Sequence, residues 1–171
     1  MERTGAARWT WPAAFLGCVA AAGMESLRLG KDVNWDLQNY HFYNAFAWIH
    51  GRLAHDVAPA MGQTFHNPLA DLPFFAMVQA GLAPRTIEFL MAVPVGVAAF
   101  FLLRLLATVF PRGTPDRAGW IAIAFAIGVT GSAGRGVIGS TMNEWPCTAL
   151  VMAALATLVP AIGERPTAAR L

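Results

Sequence analysis

The chain has 171 residues, of which 56% are hydrophobic and only 13% charged. A soluble domain carries about 25% charged residues, so this chain has too little charge to cover a water-facing surface, and lipid is the expected solvent. The net charge of +2 and the lack of any basic run or basic–aromatic patch speak against nucleic acid.

Eleven Arg and one Lys are spread thinly, so their placement reports topology. Arg3 and Arg8 precede an apolar stretch that gives a first span over residues 9–29. Ala20-Ala21-Ala22 also suits the cleavage site of a signal peptide. Retention is the preferred reading, because further spans follow and a first helix often sets orientation. Arginines on the inner side place the N-terminus in the cytoplasm. Cys18 and Cys147 lie in separate apolar stretches and read as small buried hydrophobes, with no spacing that supports a disulfide or a metal pair.

Residues 30–66 are polar and aromatic and contain His41, His50, His55 and His66. Within them, residues 36–51 predict an interfacial helix. Phe42, Phe46, Ile49 and Leu53 recur at helical steps, with Asp36, Asn39, Tyr40, Tyr43 and Asn44 on a face expected to be wet. Residues 67–83 are apolar but short and contain Asp71 and Pro73, so they predict a second interfacial helix or a fifth span. Further spans follow over residues 86–110, 118–133 and 146–162, separated by a Pro/Gly turn with Arg112 and Arg117 and by a Gly-rich loop at 134–145. Charge decides the count. Five crossings would put Arg112, Arg117, Arg165 and Arg170 outside, whereas four put them inside with Arg3 and Arg8, as the positive-inside rule prefers. Four crossings also bring residues 30–85 and 134–145 to the same outer side. The expected fold is therefore an all-α, polytopic transmembrane bundle with four spans and interfacial helices in its first outer loop.

Asp32 and Asp36 lie just past the first span, where a carboxylate can serve as a general base or hold a cation. Asp32, Asn34 or Asp36 can equally cap the following helix. Glu144 opens the last span, where the helix dipole and Pro146 in the first turn already account for an acidic residue; its functional role would be to work with Asp36. No histidine pair has the spacing that puts two ligands on one helix face, so substrate-facing or interfacial imidazoles are preferred to a metal site. Gly134-Arg135-Gly136-Val137-Ile138-Gly139 matches G-x-G-x-x-G literally, but an apolar helix precedes it where a dinucleotide site needs a strand. It reads as a tight outer loop with Arg135 available for an anion. Arg104, near the inner end of its span, is expected to snorkel to the interface.

The stretches Asn34-Trp35-Asp36-Leu37-Gln38-Asn39-Tyr40-His41-Phe42-Tyr43-Asn44, Gly51-Arg52-Leu53, Phe65-His66-Asn67-Pro68-Leu69-Ala70-Asp71-Leu72-Pro73 and Gly139-Ser140-Thr141-Met142-Asn143-Glu144 resemble poorly characterised bacterial members of the GT-C superfamily. The resemblance runs from about Asp32 to Ala161 and would correspond to the N-terminal part of such a protein. It implies a membrane glycosyltransferase that takes a sugar from a polyprenyl-phosphate donor at the outer face of a bacterial inner membrane and passes it to an acceptor that the sequence does not specify. It implies that the first-loop Asp, here Asp36 with Asp32 second, is the catalytic base or is associated with a divalent cation. Glu144 would be the acidic residue of the second outer loop, although Asn143-Glu144-Trp145 departs from an Asp-Glu pair. Tyr40, His41, Tyr43, Asn44, His66 and Arg135 are the candidate substrate contacts, with Arg135 and His41 or His66 toward the donor phosphate. The rival readings are a non-catalytic transporter or assembly subunit, and a truncated, inactive fragment. A transporter should show repeats and mid-membrane charge, whereas here no clear repeat is found and the acidic residues cluster toward one face.

Overall fold

Gly30 is where the first long helix has to stop. Helix α1 (Ala6–Leu29) ends there with Gly30 at φ 91° and its N–H bonded to Ser26 O at 3.0 Å, a left-handed stop that glycine adopts without strain. The computed structural model describes residues 6–163, and every regular element within them is helical. Arg3, Arg165 and Arg170, on which the orientation argument leans, lie outside the described residues, as does the side chain of Arg8.

Helices α4 (Pro84–Met91) and α5 (Val93–Val109) form one jointed rod, broken at Ala92 because Pro94 has no N–H to give to the preceding turn. Helix α8 (Glu144–Gly163) is the second long apolar rod. Two helices, residues 84–109 and 144–162, are long and apolar enough to cross a membrane, with mean hydropathies of 2.3 and 1.8. Only 28% and 11% of their most apolar stretches are buried within the protein. Leu150, Leu158 and Ile162 stand exposed along α8, so that face needs an apolar surrounding.

The other two expected spans fall short of that measure. Helix α6 (Arg117–Val129) has 13 residues, a length of about 20 Å against a hydrocarbon thickness of about 30 Å. Helix α1 has 24 residues, but Glu25, Ser26 and Arg28 occupy its last turns. Helix α3 (Leu72–Gln79) has only 8 residues, about 12 Å, and does not cross. A short 3₁₀ turn over Pro68–Ala70 leads into it, capped by Asn67 Oδ1 accepting from Leu69 N at 3.0 Å.

Helix α5 is central and packs against α1, α8 and α6. Gly96 lets α1 and α5 meet at backbone distance: a Cβ there would lie 2.5 Å from Val19 Cα. Ala22, Ala92 and Val95 form the inner core, and Ile138 of the preceding loop and Trp145 in the first turn of α8 pack against it. That packing, with Trp145 Nε1 donating to Gly134 O at 2.8 Å, seats residues 134–145 beside the end of α1. The short helix α7 (Ser132–Gly136) covers the start of the G-x-G-x-x-G stretch. Helices flank it on both sides and no strand leads into it, so it is a turn rather than a dinucleotide loop.

Two expectations need correction. The interfacial helix forms as a π-turn at Leu37–His41 running into α2 (Phe42–Ile49), but the face expected to be wet is only partly so: Asn39 is exposed, and Asp36, Tyr40 and Tyr43 are half-buried. His41 and Asn44 are buried, while Phe42, Trp48 and Ile49 are exposed. A helix whose outer neighbour is lipid turns its polar groups inward, where protein partners satisfy them. Cys147 is exposed on α8 rather than buried, and Cys18 is half-buried.

Candidate functional site

The loop after α1 is fixed by a clamp from the loop before α8. The Asp32 carboxylate accepts from Thr141 N at 2.7 Å and Thr141 Oγ1 at 3.0 Å, and from Asn34 N at 3.1 Å. It also accepts from Asn34 Nδ2, and that amide nitrogen reaches Thr141 Oγ1 at 3.5 Å. Asp32 is thus consumed in joining two segments 109 residues apart. Asn34 does the capping: its Oδ1 accepts from Leu37 N at 2.7 Å, which satisfies an otherwise free helical N–H.

Asp36 is thereby released from both structural tasks. It stands at the head of the π-turn and makes no side-chain cap bond. Its carboxylate instead meets the Tyr40 hydroxyl one turn on. Burial, first, and then Asp36 raise the Tyr40 phenol above its ordinary value of 10.0, and the nearby charges of Asp71 and Glu144 act in the same direction. Tyr40 is therefore a phenol in the field of three carboxylates, and it remains a proton donor at neutral pH. π-Turns of this kind are frequent at functional sites.

Beneath Tyr40 is a buried ion-pair position. His41 Nδ1 lies 2.6 Å from Asp71 Oδ1, with side chains only 5% and 4% exposed. The rings of Tyr40 and His41 lie 4.4 Å apart, tilted by 40°, and the exposed His66 ring meets Tyr40 edge-on at 5.4 Å. His41 Nε2 has no hydrogen-bond partner among the described residues. Glu144 sits in the first turn of α8 and is exposed, where the helix N-terminus favours its charge.

The chain matches no family model, no curated protein and no solved structure. Geometry alone therefore sorts the residues. Asp36, Tyr40, His41, His66 and Glu144 gather with Asp71 at the end of the bundle where α1 finishes and α8 begins.

Four other candidates belong elsewhere. Asp32 is the clamp. Asn44 is buried, donating from Nδ2 to Gln63 O at 2.8 Å, so it fastens α2 to residues 61–65. Tyr43 donates to Asp56 at 2.8 Å. Asp56 also pairs with Arg52 at 2.6 Å, and the Arg52 guanidinium, then Tyr43, holds its carboxyl below the usual 3.8. Arg135 pairs with Glu25 of α1 at 2.8 Å, beside Arg28 on the same carboxylate, although its side chain is still 46% exposed.

Asp71, Thr141 and Glu25 were missing from the candidates read in the sequence. Asp71 had a readable signal, an ionisable group inside an apolar run; Thr141 had none. Among the described residues no group of three His, Cys, Asp or Glu side chains is arranged to hold a metal ion.

Proposed function

We propose that this protein is a membrane glycosyltransferase of the GT-C kind, moving a sugar from a polyprenyl-phosphate carrier at the outer face of a bacterial inner membrane. In this reading α1, residues 84–109, α6 and α8 all cross, the N-terminus is cytoplasmic, and the Asp36–Glu144 end is outside. Arg112 and Arg117 in the turn before α6 fall inside, as the charge rule prefers. The observation that carries the reading is a carboxylate freed from capping by Asn34 and facing the Tyr40 phenol, on which the Glu144 charge also acts.

Asp36 takes the proton of the acceptor hydroxyl as the bond to the sugar forms. Tyr40 orients Asp36, and the Asp71–His41 pair beneath fixes the Tyr40 ring. The leaving group is a lipid phosphate, which is already a good one, so positioning and charge supply much of the rate. His66, exposed on the edge of Tyr40, is the nearest imidazole for that phosphate.

The test is transfer from a radiolabelled polyprenyl-phosphate sugar by the full-length protein in proteoliposomes. Asp36→Asn should lower transfer by about 100-fold or more, the scale of a lost general base, with membrane insertion intact. Unchanged transfer by that variant rejects Asp36 as the base.

A further inference from the structure

The opposite end of the bundle, where α1 begins and α5 gives way to α6, holds a cavity of about 660 Å³ with three guanidiniums on its wall. Arg104, Arg112 and Arg117 line it together with Trp11 and Thr108, and among the described residues no carboxylate does. Two of the three arginines are held in place. Arg117 donates to Phe110 O at 2.5 Å and to Ala107 O at 3.1 Å, the free carbonyls at the end of α5. Arg104 lies over the Trp11 ring at 5.9 Å, a cation–π contact that keeps a long side chain in one rotamer. Neither Arg104 nor Arg112 is in an ion pair among the described residues. The deeper wall is apolar, with Ala14, Leu103 and Ile121.

Three like charges facing one cavity repel each other unless an anion sits among them. A polar rim over an apolar wall, between helices that face an apolar medium, fits an amphipathic anion better than a free one. We infer that this cavity binds the phosphodiester headgroup of an anionic glycerophospholipid from the adjoining leaflet. Guanidiniums grip the phosphate oxygens with paired N–H donors, and the apolar wall receives the upper acyl chain. Basic pockets between membrane helices on the cytoplasmic side are the general setting for such recognition. The inference does not depend on sugar transfer.

The experiment uses the full chain, purified and delipidated, with phosphatidylglycerol, phosphatidylcholine and inorganic phosphate as probes and native mass spectrometry as readout. Phosphatidylglycerol should be retained at least tenfold more than phosphatidylcholine. Arg104→Gln with Arg112→Gln should abolish that preference, while Arg112→Lys, which keeps the charge, should retain most of it. Circular dichroism of each variant should match the parent, so that a loss reports the site and not the fold. Equal retention of the two lipids, an unchanged preference in the double variant, or displacement of the lipid by millimolar inorganic phosphate would each overturn the proposal.

Discussion

Replacing Asp32 with alanine removes the group that ties the first outer loop to the loop before α8. The carboxylate receives Thr141 N, Thr141 Oγ1, Asn34 N and Asn34 Nδ2. Asn34, which is only half-buried, can turn to water once it is gone. The Thr141 amide cannot, because Thr141 is only 3% exposed. Hydrogen bonds to a charged group contribute about 1.5–3 kcal/mol, and a buried donor left unpaired costs about 1–3 kcal/mol. The local loss is therefore about 2–3 kcal/mol, which corresponds to about 30- to 150-fold faster opening at that amide. Hydrogen–deuterium exchange in detergent measures this directly. Asp32→Ala should accelerate exchange at residues 139–142 by that factor while the middle of α5 keeps its protection. Asp36→Ala should leave Thr141 unaffected, because Asp36 makes no bond to that loop. Unchanged exchange at Thr141 in Asp32→Ala, or an equal acceleration along the whole chain, would refute the assignment of Asp32 as a local clamp.

Gly96→Val should destabilise the α1–α5 contact by about 1–3 kcal/mol, the usual cost of overpacking, because the neighbour at 2.5 Å is the Val19 backbone and not a movable side chain; a lower midpoint in an SDS unfolding titration checks it. The chain has two tyrosines, and both phenols are raised above 10.0, Tyr40 by burial and then Asp36, Tyr43 by burial and then Asp56. A raised folded-state value means that their contribution to stability is complete below pH 10.0 and is lost as pH rises through the folded-state values. Ultraviolet titration should therefore find less phenolate at pH 10 in the folded protein than in a denatured control; equal ionisation in the two would contradict the Tyr40 environment. A cysteine introduced by Thr114→Cys in a background without Cys18 and Cys147 should be labelled only from the cytoplasmic side, and outside labelling would contradict the four-span reading.

Element positions were legible because apolar runs and Pro/Gly breaks are local signals. The last helix, expected over 146–162, runs from Glu144 to Gly163, and the span expected over 86–110 ends at Val109. What each face of a helix meets was not legible. The period of Phe42, Phe46 and Ile49 defines two faces, but it does not say whether water or lipid lies outside, and here His41 and Asn44 turn inward. The partners of the polar residues were hidden for a related reason. His41 finds Asp71 30 residues on, and Arg135 finds Glu25 110 residues back, and no spacing rule reaches that far. Asp36 and Asp32 looked alike in the sequence; only the capping bond from Asn34 and the Thr141 contact separate their roles.

The most direct measurement uses cysteines at Val33 and Ser140, which adjoin Asn34 and Thr141 and line one cavity without being buried, in a chain without Cys18 and Cys147. A short, membrane-impermeant bis-thiosulfonate reagent is added to the outside of intact spheroplasts, and joined peptides are sought by mass spectrometry. Linkage within a single chain is the expected result, since both loops should lie together on the outer rim. Recovery of the two cysteines unlinked, or reaction only after the membrane is opened, would contradict the account.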